Sequence, residues 1–157
     1  MKKIFELRKL TREFYKDYPK TKFPEIEHKS SRPYVVVLVK IDDVQFAIPL
    51  RSNVHHTYCY KFKTSDRVTD SSTAIDFTKA VVIVKPSYLG NSTDINDKEY
   101  LEIQQKTFFI LKQFKKYVNG YIKFKLNGGN KYTQKKYRFT TLEYFDDVIV
   151  KNRSTNR

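Results

Sequence analysis

Cysteine is almost missing from this chain, with Cys59 the single example. One cysteine forms no internal disulfide and builds no multi-cysteine zinc site. Glycine and proline are sparse, 4 and 5 in 157 residues, and there is no internal repeat or low-complexity segment. No apolar run approaches the roughly 20 residues of a membrane-spanning helix. The opening residues Met1, Lys2, Lys3, Ile4, Phe5 and Glu6 lack the apolar stretch and small-residue cleavage site of a signal peptide. A cytoplasmic, disulfide-free protein without a membrane partner is the expectation. Carboxylates are scattered rather than clustered, which disfavours the convergent acids of a metal-dependent nuclease. His55 and His56 are adjacent, so their side chains diverge, and with His28 they make a poor metal site. Also missing are a glycine-rich phosphate loop before Lys-Ser or Lys-Thr and a Gly-x-Ser-x-Gly elbow. The chain is expected to work without a metal or other cofactor.

What remains is a chain able to fold. Hydrophobic residues make up 39% and aromatics 15%, and residues 1–157 suit one domain with a real core. Thirty-one Lys and Arg against 17 Asp and Glu give a net charge of +14. Such a field attracts polyanions, nucleic acid first among them.

Hydrophobic patterning divides the chain. Phe5, Leu7, Leu10, Phe14 and Tyr18 recur loosely at helical spacing, and residues 19–33, with Pro19, Pro24 and Pro33, read as an extended loop. Residues 34–41 are almost wholly apolar and β-branched, as in a strand buried on both faces. Asp42 and Asp43 make a two-residue turn into a strand over 44–48, and Pro49 should end or bulge its pairing. Residues 58–62 are a weaker third strand, residues 64–73 a polar loop, and residues 80–84 a second apolar strand. Tyr100, Leu101, Phe108, Leu111, Phe114, Tyr117 and Val118 recur at threes and fours, predicting one amphipathic helix over 97–118. Residues 121–126 fit either a strand or the end of that helix, and 127–130 form a turn. Thr140 with Glu143 resembles a capping box opening a short last helix. Strands first and helices later predict an α+β fold: a compact single domain with a strongly twisted, mainly antiparallel sheet flanked by helices.

Charge is distributed unevenly. Residues 103–142 hold ten Lys or Arg and no Asp or Glu. Lys112, Lys115, Lys116, Lys123, Lys135, Lys136 and Arg138 in this stretch are candidate RNA-binding residues, with tyrosines interleaved that stack on splayed bases. The bland alternative is the solvated face of a helix.

RNA can be cut without a metal through its own 2′-hydroxyl, provided donors stabilise the phosphorane oxygens and groups relay protons. Arg51, Ser52, Asn53, Val54, His55 and His56 concentrate such residue types where an apolar strand ends. A plain Asn/Ser turn with a surface arginine fits the same residues.

Three segments are nevertheless familiar. Arg32, Pro33 and Tyr34 open one strand. Phe46, Ala47, Ile48, Pro49, Leu50, Arg51, Ser52 and Asn53 close the next. Ile75, Asp76, Phe77, Thr78, Lys79, Ala80, Val81, Val82 and Ile83 form the third. Together they resemble the type III toxins ToxN, AbiQ, CptN and TenpN, the last branch most closely. The resemblance runs from about Phe5 to Tyr144 and implies a Kid- or MazF-like fold and a metal-independent endoribonuclease leaving a 2′,3′-cyclic phosphate. It implies a repeated pseudoknot RNA antitoxin as partner in a closed protein–RNA assembly, cellular or phage RNA as substrate, and a role in phage defence. It assigns Ser52, Arg51, Arg32 and a strand lysine, Lys79, to the catalytic site. ToxN carries a lysine two residues after its serine, where this chain has Val54; His55 is the substitute, its unperturbed pKa lying near neutrality. Tyr34, Asn53 and His56 are expected to touch RNA, and Tyr34 and Tyr58 are weaker catalytic candidates. The rival class is a non-catalytic basic RNA-binding module.

If Lys112, Lys115 and Lys116 touch phosphates, replacing all three by Gln should weaken RNA binding. The log–log salt slope should become shallower by about 0.7–0.9 for each phosphate no longer held. Only Lys112 with Lys115 or Lys116 shares a helix face, so release of one to two phosphates is expected. An unchanged slope in a salt titration would show the stripe to be plain solvated surface.

Overall fold

The fold is known from a computed structural model that describes residues 5–28, 35–64 and 73–155. The chain begins with β1 (Glu6–Leu10) and α1 (Arg12–Asp17), then β2 (Val35–Ile41), β3 (Val44–Arg51), β4 (Cys59–Lys61) and β5 (Ala74–Asp76). A 3-10 turn at Phe77–Lys79 leads to β6 (Val81–Val82), and another at Pro86–Tyr88 to β7 (Leu89–Ser92). Helices follow: α2 (Asp97–Gln105), α3 (Thr107–Asn127), α4 (Lys131–Lys136), a 3-10 turn at Thr141–Phe145 and α5 (Asp146–Thr155). The seven strands form one sheet in the order β4-β5-β3-β2-β1-β7, with β6 also on β3. Each of its pairings is antiparallel. The α+β expectation of a compact single domain with a mainly antiparallel sheet is met.

The β2–β3 hairpin is the backbone of the sheet. Asp42 and Asp43 both take positive φ, 49° and 67°, the handedness that lets a two-residue turn follow the twist of its strands. Val36, Val37, Leu38 and Val39 are all buried, as an unbroken β-branched run requires when both faces are covered.

Several elements differ from the sequence expectation, each for a physical reason. Residues 6–10 are a strand, not the start of a helix. Leu7 and Leu10 are both buried although three apart, and so lie on opposite faces of the strand. β1 keeps an unbroken register with β2, and the extra residue where its pairing with β7 shifts lies on β7. A strand that buries one residue on each face can imitate helical spacing over so short a run. Pro49 does not stop β3. It pairs with Val36 and falls where the other edge of β3 passes from β6, at Phe46 and Ala47, to β5, at Leu50 and Arg51. A residue without an N–H is tolerated at that change of partner. The apolar run 80–84 keeps only Val81 and Val82 as strand.

The predicted helix over 97–118 is two helices meeting at Lys106. Leu101 and Phe108, expected in the core, are 53% and 74% exposed. The second helix runs on through residues 121–126 and ends before Gly128, whose φ of 74° suits a C-terminal glycine. Ile110, Phe114, Tyr117, Val118, Tyr121 and Ile122 form its buried stripe. Thr140 accepts from the Leu142 N–H, so it caps a 3-10 turn that precedes α5 rather than opening that helix directly. Among the described residues no helix is long and apolar enough to cross a membrane.

Phe114 is fully buried and joins helix to sheet, its ring 5.2 Å from Phe46 and 5.4 Å from Phe77. Phe114→Ala should cost about 3–5 kcal/mol through forfeited transfer energy and a cavity. Urea unfolding will measure it, and a change under about 1 kcal/mol would mean that α3 is not clamped to the sheet there.

Candidate active site

The residues from Arg51 to Tyr58 connect β3 to β4, and their alternating burial defines the site. Arg51 and His56 are half-buried and Val54 is 3% exposed, whereas Ser52, Asn53, His55 and Thr57 face solvent. Asn53 takes the left-handed conformation, φ 59°, which asparagine tolerates better than most residues. The loop is thus held down at Arg51, Val54 and His56 and presents polar side chains between them.

What holds it is Asp76, a fully buried carboxylate at the end of β5. Arg51 donates from Nη1 at 2.5 Å, His56 Nε2 lies 3.1 Å from Oδ1, and Thr78 donates both its N–H and its hydroxyl, at 3.0 and 2.6 Å. Burial alone would raise the Asp76 pKa. Hydrogen bonds from His56, Thr78 and Arg51 outweigh that penalty and hold it below the ordinary carboxylate value. On its other side the His56 ring accepts the Tyr58 N–H at Nδ1, 3.0 Å. That acceptor role assigns the proton to Nε2, where it is donated to Asp76. Both imidazole nitrogens are therefore occupied.

The residues expected to form the site separate into two groups. Arg51 also donates from Nη2 to Glu27 at 3.0 Å, and Lys79 donates to Glu25 at 2.9 Å. Lys79 lies in the 3-10 turn Phe77–Lys79, not in a strand, with its side chain 12% exposed. Segment 19–28, irregular as expected, thus supplies a carboxylate to each of two assigned catalytic cations. Asp76, Glu25 and Glu27 offset their charge. Ser52, Asn53 and His55 remain exposed at the loop's tip. Arg32 and Tyr34 lie outside the described residues.

The basic stripe reaches this loop through one residue. Lys136, at the end of α4, places Nζ 5.6 Å from the Tyr58 ring centre, 5.9 Å from Tyr117 and 5.3 Å from Tyr137, a geometry in which three ring faces attract the cation. Tyr58 in turn stacks on His56, centroids 5.8 Å apart and planes 24° off parallel. Partial burial and the nearby Lys116 lower the Lys136 pKa from its ordinary value. The Tyr58 phenol is pushed up by burial and by Tyr132. Gly120 is needed here, because a Cβ on it would lie 2.4 Å from the Tyr137 hydroxyl, which donates to the Tyr117 carbonyl. Lys112, Lys115, Lys116, Lys123, Lys135 and Arg138 lie on the exposed or half-exposed surface, Arg138 over the ring of Phe139 at 5.1 Å.

No protein-family model, no curated protein and no solved structure matches this chain. The site must be read from its own residues. Among the described residues no group of three or more His, Cys, Asp or Glu is arranged to hold a metal ion. His28 is held away from the loop, its ring nitrogens on the carbonyls of Ile26 and Tyr18. Sequence reading missed the roles of Asp76, Thr78, Glu25 and Glu27. The one signal for Asp76 was an acid inside an otherwise apolar stretch, a place where burial demands partners.

Asp76→Asn should destabilise the fold by about 3 kcal/mol at neutral pH, since it leaves the Arg51 cation short of its buried partner. The sign of the pH dependence follows from the lowered pKa. Its stabilisation is complete above the unfolded value of about 3.9 and disappears as pH falls through the lower folded value. Urea midpoints of the two proteins should therefore converge below about pH 4. A gap that stays constant from about pH 7 to about pH 3 would show that charge is not what Asp76 contributes.

Proposed function

We propose that this chain is a metal-independent endoribonuclease whose reacting phosphate sits between the exposed 52–57 loop and Lys136. The observation that supports this reading most is the Asp76–His56–Tyr58–Lys136 chain of contacts, which couples a polar loop at a strand end to the basic stretch 103–142, itself without an acid in its sequence. Rigid support beneath exposed donors is what a preorganised site requires.

In this reading the 2′-oxygen attacks the adjacent phosphorus, the O2′–P bond forms and the P–O5′ bond breaks. The products are a 2′,3′-cyclic phosphate and a 5′-hydroxyl. His55, exposed on the loop, takes the proton from the 2′-oxygen and returns one to the leaving 5′-oxygen. The Ser52 hydroxyl donates to a non-bridging oxygen, and Lys136 offsets the developing charge. Asp76 and His56 touch no substrate; they position the loop, and Arg51 serves the same purpose because two carboxylates already claim its guanidinium. Arg32, assigned by resemblance, would add a further cation.

The resemblance to type III toxins extends the proposal to biology and to a Kid- or MazF-like relationship for the sheet. The controlling partner is then a repeated pseudoknot RNA, cut from its precursor and held in a closed protein–RNA assembly, and cellular or phage RNA is the target. A second reading, a non-catalytic RNA-binding module, is favoured by one observation: Arg51, His56 and Lys79 are all satisfied within the protein.

The purified protein should cut single-stranded RNA in EDTA, leave a 2′,3′-cyclic phosphate, and spare a substrate with 2′-deoxy residues throughout. Ser52→Ala should lower the rate about a hundred- to a thousandfold and His55→Ala about a hundred- to ten-thousandfold, with melting unchanged because both are exposed. Cleavage that depends on magnesium would remove the mechanism. RNA binding without cleavage under any condition would decide for the second reading.

A further inference from the structure

Beyond Thr57 the surface carries a second feature that the cleavage chemistry does not use. A groove of about 370 Å³ runs beside β4, with Cys59 and Tyr60 beneath it and Lys61, Lys63, Lys106 and Phe109 along its sides. Its volume lies within the roughly 300–1,000 Å³ of pockets that hold small ligands. No carboxylate is among the described residues lining it, and its three lysines are exposed and make no ion pair among the described residues. The nearby acid Glu102 is 5% exposed and turned inward. It accepts from the Tyr60 hydroxyl, the N–H groups of Lys63 and Thr64, and the Thr64 hydroxyl at 2.7 Å. That network fixes the wall and fills the carboxylate's lone pairs from within the protein. Burial alone would raise the Glu102 pKa, but these bonds hold it below the ordinary value, so the group stays ionised. It does not line the opening.

Phe109 is the conspicuous residue. Its neighbours Ile110 and Phe114 fill the core, whereas Phe109 is 52% exposed, its ring standing edge-on to Tyr60 at 6.1 Å and 69°. A phenyl face left open among three lysines is the pairing of stacking platform and phosphate contacts used for single-stranded nucleic acid. Cys59 at the base is not a nucleophile, because burial and Asp76 push its thiol up to about 11.

We infer that this groove binds the nucleotide next to the cleaved bond, its base on Phe109 and its flanking phosphates on Lys61, Lys63 and Lys106. The inference rests on the RNA-cleavage reading and names a part of it: a single-stranded subsite joined to the reacting phosphate at Thr57, which ends that loop and lines the groove.

The chain contains no tryptophan, so Phe109→Trp places a unique indole reporter in the groove. The full-length variant is titrated with a single-stranded 2′-O-methyl oligonucleotide, which lacks the attacking hydroxyl, and fluorescence is compared with anisotropy of the labelled oligonucleotide. Indole quenching should saturate at the same concentration as the anisotropy. Phe109→Ala should weaken binding about 5- to 150-fold, with melting near that of the parent. Combined Lys61→Gln, Lys63→Gln and Lys106→Gln should flatten the log–log salt slope by about 0.7 for each phosphate released. Normal anisotropy with no quenching, and undiminished affinity in Phe109→Ala, would overturn the groove and leave the RNA reading standing. No oligonucleotide binding by the parent protein would overturn both.

Discussion

The buried Asp76 carboxylate is the constraint on which the arrangement around the β3–β4 loop depends. An ionised carboxylate removed from water costs several kcal/mol unless its lone pairs are filled. Here they are filled by the end of β3, by the β3–β4 loop and by the turn after β5. Three segments are thereby fixed by one charge. Their relative positions decide where the exposed Ser52 and His55 are presented, although neither bonds to Asp76 among the described contacts.

The second organising feature is a division of cations by partner. Arg51 and Lys79 face Glu27 and Glu25, and Lys85 faces Asp17. Lys125 alone of the 103–142 cations pairs with an acid among the described residues, Asp146, which lies outside that stretch. A polyanion is drawn to the surface where no carboxylate competes. Lys136 and the exposed lysines of α3 other than Lys125 belong to such a surface, together with the groove beside β4 that Thr57 helps to line. Positive charge is distributed along the chain, yet only part of it is available.

Much of the scaffold was legible from residues alone. A β-branched run, two aspartates at a tight turn and a stripe of apolar residues at threes and fours are local signals, complete within a few positions. They located the β2–β3 hairpin and most of the buried face of α3. The signals misled where a nonlocal event altered the local period. Burial of Leu7 and Leu10 on opposite faces made β1 resemble a helix, and Leu101 and Phe108, on either side of the break at Lys106, are exposed. Short strands such as β5 and β6 carry too few residues to show a period at all.

By itself the sequence determined the fold class, the hairpin at the centre of the sheet, the excess of positive charge and the exposed polar loop after Leu50. Those properties depend on composition or on neighbours along the chain. Tertiary structure alone decided which cations are neutralised. Glu25 and Glu27 meet Lys79 and Arg51 from positions 54 and 24 residues away, and His56 meets Asp76 from another element of the fold. An ion pair acts over a few ångströms of space, and no pattern in the order of residues records that distance.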